Sequence, residues 1–222
     1  MAYEFDFTAI AGYTPVLLKG VGVTCTLILV GGVAGVALGV GCAWLRTQGP
    51  AWLRGPVVAY IELMRNTPFL IQLFFIFFGL PAVGVQMGEM SAACLAMTLN
   101  LGAYSAEIVR AGVAATPRGQ FEAGASLALT RTQVFRHIVL APALKRVWPA
   151  LSSQIVVVML GSAVVSQIAA QDLSFAANFI QSRNFRAFEV YFVTTAIYLG
   201  LAIVLRQLLR LIGARLFRSP GS

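Results

Sequence analysis

From Val21 to Leu45 the chain runs twenty-five residues without a charge, bounded by Lys19 and Arg46. A helix of that length reaches ~37 Å at ~1.5 Å per residue, enough to cross ~30 Å of hydrocarbon. In water such a helix would have no polar face; in lipid it satisfies its own backbone and needs none. Gly31, Gly35 and Gly39 recur every four residues along it. Small residues at that spacing let helix backbones approach closely. A generic glycine-rich membrane helix and a specific dimer seam are both open readings.

The rest of the sequence repeats the pattern. Hydrophobic residues make up 59% of 222 and charged residues 11%, against about 25% charged in a soluble domain. The mean hydropathy is +0.82. The pattern predicts an all-α integral membrane protein, one domain over 1–222, with about five spans near 21–45, 57–80, 91–110, 151–170 and 188–212. Within the second, Glu62 and Arg65 share a helical face and can neutralise each other. Pro68 follows and predicts a kink or restart. The third carries Asn100 and Glu107. The N-terminus, MAYEFDFTAI, lacks a basic n-region, so the first span is expected to stay in the mature protein. Cys25, Cys42 and Cys94 lie in apolar context and predict no disulfide.

Charge sets the orientation. Arg46, Arg54, Arg110, Arg118, Arg131, Arg136, Lys145 and Arg146 fall in the first and third connections, and Arg206, Arg210, Arg215 and Arg218 stand at the exit of the last span. Only Lys19, Arg183 and Arg186 fall on the opposite face. The positive-inside rule then puts the third connection and the C-terminus in the cytoplasm and the N-terminus in the periplasm. The net charge of +8 therefore reflects topology and implies no nucleic acid. A second polar island, Gln171 to Glu189, holds Phe175, Phe179, Phe185 and Phe188. It reads either as a short amphipathic helix at the outer surface or as an ordinary loop with aromatic belt residues.

Catalytic patterns are absent. There is no phosphate-binding Gly-rich loop, no G-x-S-x-G and no C-x-x-C, and His137 is the single histidine. No metal site or nucleophile triad can be assembled, so the chain predicts no enzyme, and any work it does draws on energy from elsewhere. Intramembrane polar groups become the functional candidates, since a charge at the bilayer centre costs ~2.5–3.5 kcal/mol on insertion scales. These are Glu62, Arg65, Asn100, Glu107, Ser162, Ser166 and Gln167. The long polar connection, about 113–150, is the other candidate. Its stretch Q-F-E-A-G-A-S-L-A-L-T surrounds Glu122 with Ala123, Gly124 and Ala128, small enough for another surface to approach, and offers Leu127 as an apolar anchor. A partner-seating helix and an ordinary amphipathic surface helix both fit that pattern.

That stretch resembles the EAA loop of the inner-membrane permease subunits of bacterial ABC importers: E-A-A, three residues, G, nine residues, I-x-L-P. Here it reads Glu122-Ala123-Gly124, then Ala128 at the glycine position, then Ile138-Val139-Leu140, with Ala141 at the proline position and Pro142 one place later. M-R-N-T-P-F-L-I-Q-L-F-F-I-F-F-G-L-P (64–81), A-Y-S-A-E-I-V-R-A-G (103–112) and S-R-N-F-R-A-F-E-V-Y (182–191) resemble the polar amino acid subfamily, whose members import histidine, arginine, glutamate, glutamine or cystine. The similarity runs from about Gly20 to Arg215. It implies a permease subunit of the bacterial inner membrane, working by alternating access. It also implies a second permease, identical or homologous, two cytoplasmic ATPase subunits that hold ATP and Mg, and a periplasmic amino-acid-binding protein. No cofactor is implied in this chain. Glu122, Ala123, Gly124, Leu127 and Ala128 become the ATPase-coupling residues. Relatives often read L-K-D-T/S-S-L where this chain reads Leu160-Gly161-Ser162-Ala163-Val164. Loss of that aspartate disfavours a basic substrate unless a different second permease supplies the acid. The alternative is an ATP-independent channel or secondary transporter with a proton site at Glu62 or Glu107, which would have no use for an E-A-x turn.

Overall fold

A computed structural model describes residues 5–217 of the chain. Arg218 of the basic tail lies outside the described residues. The described elements are all helical: α1 (Thr8–Ala11), α2 (Thr14–Thr47), α3 (Ala51–Asn66), α4 (Phe69–Phe74), α5 (Glu89–Ala114), α6 (Arg118–Ser126), α7 (Arg131–Val134), α8 (Leu140–Gly161), α9 (Leu173–Asn184) and α10 (Ala187–Leu216). Four helical stretches are long and apolar enough to cross a membrane, and a fifth arises if the bent pair α3–α4 counts as one span.

The seam at the centre joins α2 to α5. A Cβ on Gly31 would stand 3.0 Å from Met97 Cβ, and one on Gly35 would stand 2.9 Å from Leu101 Cβ. One on Gly39 would press on the backbone at Ala106. The glycine repeat therefore seats a neighbour within the same chain, so it is no longer available as a dimer seam. Both helices advance together, four residues per step, which means that the first and third long helices run parallel. Leu27, Ala93, Ala96, Met97 and Leu101 are fully or almost fully buried along this contact and pass into a core with Leu151, Val165 and Ile168.

The second span does not cross straight. α3 ends at Asn66, Thr67 and Pro68 are extended, and the chain restarts in α4 at an angle of 116°. Pro68 supplies no amide and disfavours the α conformation at Thr67, so the sequence favours a break here. α4 runs on through a π turn, Phe75–Gly79, and a 3₁₀ turn, Leu80–Val83.

The third connection, 113–150, is helical through most of its length. Only Leu127–Thr130 separates α6 from a helix that continues from Arg131 through a π turn, Phe135–Val139, into α8 and its 3₁₀ extension, Ser162–Ile168. The whole arm has 38 residues, or ~57 Å, about twice the hydrocarbon thickness. The shifted Pro142 sits in its third turn without breaking it. The π turn ends with Leu140 N–H donating five residues back to Phe135. That wider turn makes room where a proline ring would otherwise meet the preceding backbone.

At the opposite end the second polar island is a helix, α9, whose Leu173, Ala176, Ala177 and Ile180 are buried against α2 and α10. Asp172 caps it by accepting from Phe175 N–H at 2.8 Å.

Candidate functional site

Two regions gather the candidate residues, one at the end of the long arm and one at the break in the second span.

At the arm, α6 lies across α7 and the π turn. Gly124 is buried there: a Cβ would fall 2.7 Å from Val134 Cγ2 and 3.0 Å from Ile138 Cδ1. The close approach expected of Gly124 is thus made by the chain's own arm. Glu122, Ala123, Leu127 and Ala128 face outward, Leu127 with 71% of its surface exposed. The helix closes with Leu129 N–H donating back to Gly124 O at 3.2 Å while Ala128 takes φ 54°. This is a Schellman turn whose left-handed position normally asks for glycine. α7 opens with a capping box: Thr130 N–H donates to Gln133 Oε1 at 2.8 Å, and Gln133 N–H donates back to Thr130 Oγ1 at 3.4 Å. Two α6 features therefore fix Glu122 on a short, rigid helix: the cap beyond it and the packed glycine beside it.

At the break, the carbonyls freed by Thr67–Pro68 are met by side chains: Thr67 Oγ1 donates to Leu63 O at 2.7 Å, and Gln72 meets two more. Gln72 Nε2 donates to Met64 O at 2.8 Å and Thr67 O at 3.0 Å, and lies 2.8 Å from Thr67 Oγ1. Its Oε1 accepts from Asn100 Nδ2 of α5 at 2.9 Å. Gln72 and Asn100 are 6% and 8% exposed. At bilayer depth an unmet carbonyl costs several kcal/mol, so this amide pair is what lets the span turn. Sequence places Asn100 among the path candidates and passes over Gln72, although Gln72 stands at a fixed place in the 64–81 motif.

Glu107 holds the ends of α2 and α5 together. It pairs with Arg46 at the end of α2, and its Oε2 accepts from Arg110 Nε and Nη2 at 3.0 and 2.9 Å. Arg146 of α8 donates to Ala115 O at 2.7 Å, tying the end of α5 to the arm. Among the described residues no ion pair joins Glu62 and Arg65, contrary to the neutralised pair that their spacing suggests. Both are exposed, and the Arg65 guanidinium stands 5.7 Å from the Tyr104 ring centroid. Ser162 is fully buried with a hydroxyl that has no partner among the described residues. Ser166 donates to Ala163 O at 2.9 Å, and Gln167 is exposed. All three lie on the 3₁₀ turn that packs against α4 and α5. Arg46 and Gln72 are the site residues that sequence reasoning missed; each acts through a partner at least 28 positions away.

Residues 35–218 match the sequence pattern of the binding-protein-dependent transport system inner membrane component family. The glutamine transport system permease protein GlnP of Escherichia coli strain K12 is 32% identical over 96% of this chain and 98% of that protein. The probable amino-acid ABC transporter permease protein YckA of Bacillus subtilis strain 168 is 33% identical over 83% of this chain and 81% of its own length. Among solved structures, an amino acid ABC transporter crystallised with histidines superposes with a TM-score of 0.84 at 34% identity, covering 96% of this chain and all of that one. An inward-facing MetNI methionine ABC transporter shares the fold with a TM-score of 0.73 at 24% identity.

Proposed function

We infer the function from one premise: the chain belongs to the family of binding-protein-dependent transport system inner membrane components, and within it is the permease component of an amino-acid ABC importer. The finer reading is that two such permeases, identical or homologous, enclose a path for a polar amino acid. A periplasmic binding protein delivers the substrate, and two cytoplasmic ATPases, holding ATP and Mg, drive alternating access. The N-terminus is periplasmic, the C-terminus cytoplasmic, and the host is a bacterial inner membrane. ATP hydrolysis is assigned to the separate ATPase, and this chain is not itself an enzyme.

The observation that carries this reading is the placement of α6. It presents Glu122, Ala123, Leu127 and Ala128 outward, and its buried glycine bolts it to a helix that runs unbroken into the bundle. A push on α6 is therefore a push on α8, as alternating access by a rigid lever requires. Glu122 meets a basic group on the ATPase, and Leu127 fills an apolar groove. Asn100, Ser162, Ser166, Gln167, Glu62, Arg65 and Glu107 are assigned to the path or its inner end.

The test is Glu122→Lys in sealed vesicles carrying the full transporter. The variant should reach the membrane at the parent's level, hydrolyse ATP, and lose substrate-coupled uptake. Uptake at the parent's rate would overturn the assignment of α6, and failure to co-purify any nucleotide-binding subunit with the parent would favour the channel or secondary-transporter reading.

A further inference from the structure

We propose that the groove between α2 and α10 is a binding site for an anionic phospholipid, with one acyl chain along the groove and the headgroup at Arg215. The proposal rests on the membrane placement above and adds a ligand that transport itself does not require.

The groove is a cavity of about 600 Å³ floored by Trp148 and Ile155 of α8, with walls from Cys25 to Ala37 on α2 and from Leu201 to Ile212 on α10. Its walls are almost wholly apolar, and residues such as Val33 and Leu208 are 66% and 51% exposed. The α2 wall is ~18 Å long at ~1.5 Å per residue, close to the ~15 Å depth of one leaflet. A groove of that length and apolar lining accommodates an extended hydrocarbon chain lying along it.

The mouth is specified by charge. Arg215 follows Leu208 by seven residues and Ile212 by three, so it continues the same stripe of α10 beyond the groove. It is exposed and makes no ion pair or hydrogen bond among the described residues. Beside this end, Trp148 Nε1 donates to Leu209 O at 2.9 Å and its ring meets Phe217 at 5.5 Å between centroids. Aromatic rings of this kind belong at headgroup level. An apolar groove about one leaflet long that ends at an aromatic pair and an exposed arginine matches the acyl chain, glycerol and phosphate of a phospholipid in that order.

The test uses the complete transporter in vesicles containing phosphatidylglycerol with a photoactivatable group near the end of one acyl chain, against phosphatidylcholine labelled alike. The labelled peptides should cluster on Cys25–Ala37 and Leu201–Ile212, with phosphatidylglycerol favoured about fivefold. Arg215→Gln should remove the preference and keep the chain labelling. Gly32→Trp should remove both, because a Cβ at Gly32 meets nothing within 4 Å and the larger ring fills the slot. Gly22→Trp, equally open but outside the groove, should change neither. Even labelling all round α2 and α10 would overturn the proposal. So would disulfide linkage of Cys25 between two copies, which would place a second chain over the groove. ATPase co-purification measured on the same samples reads the transporter assignment separately.

Discussion

Ala128 shows how one residue records a backbone demand. At the Schellman turn that ends α6 it holds φ 54°, a conformation that costs an L-residue roughly 1–2 kcal/mol. Ala128→Gly should relieve that strain. Glycine's freer unfolded chain takes back ~0.4–1 kcal/mol, so the net gain in stability is about 0.5–1 kcal/mol. It would be read as a higher unfolding temperature in detergent micelles. Asp172 makes a different demand. Burial pushes its carboxyl above the ordinary aspartate value, against the Phe175 N–H and Tyr198 hydroxyl that donate to it. The folded chain therefore holds that proton more tightly than the unfolded chain. The stability it contributes falls as pH rises between the ordinary and raised values, and the cost is fully present above them. Asp172→Asn keeps the cap. It should melt higher than the parent at neutral pH, and the gap should close as the pH drops through that window; a constant gap would show that the carboxyl does not titrate differently in the fold.

At the scale of elements, the α2–α5 seam and the arm do different work. Gly39 is crowded by the backbone of α5: a Cβ there would stand 2.9 Å from Ala106 N and 3.0 Å from Gly102 O, whereas one on Gly41 of the same helix would meet nothing within 4 Å. Gly39→Leu should cost about 1–3 kcal/mol by overpacking, and Gly41→Leu should be neutral. Equal melting temperatures for the two variants would contradict the parallel seam. The arm gains its stiffness from continuity. The π turn accommodates Pro142, and Arg146 holds the arm to the end of α5. Sequence marked the E-A-x motif and its neighbours, and the structure makes most of 113–150 helical. The basic residues that suggested a loop decorate helices, because a helix longer than the bilayer carries its charges on the part that stands outside.

For the whole molecule, α6 and α9 lie at opposite ends of α8, so they face opposite sides of the membrane. Single cysteines at Ser126 and Asn184 in a cysteine-free chain should be labelled by a membrane-impermeant maleimide from opposite sides, Ser126 only from the cytoplasmic side. Labelling of Ser126 only from the periplasmic side would reverse the topology, and labelling of both from one side would contradict their placement at opposite ends of α8. The sequence by itself determined the all-helical class of fold, the number of apolar stretches able to cross a membrane, and the motifs that mark the family. Those follow from apolar run length and short local motifs, and each is written in a continuous stretch of chain. Only the tertiary structure decided that the glycine repeat seats α5 and that Gly124 serves the chain's own arm. It also decided that Glu107 takes Arg46, while Glu62 and Arg65 stay apart, and that the break at Pro68 is sealed by Gln72 and Asn100. Those outcomes depend on which distant group comes within hydrogen-bond or van der Waals reach, and no local periodicity encodes that.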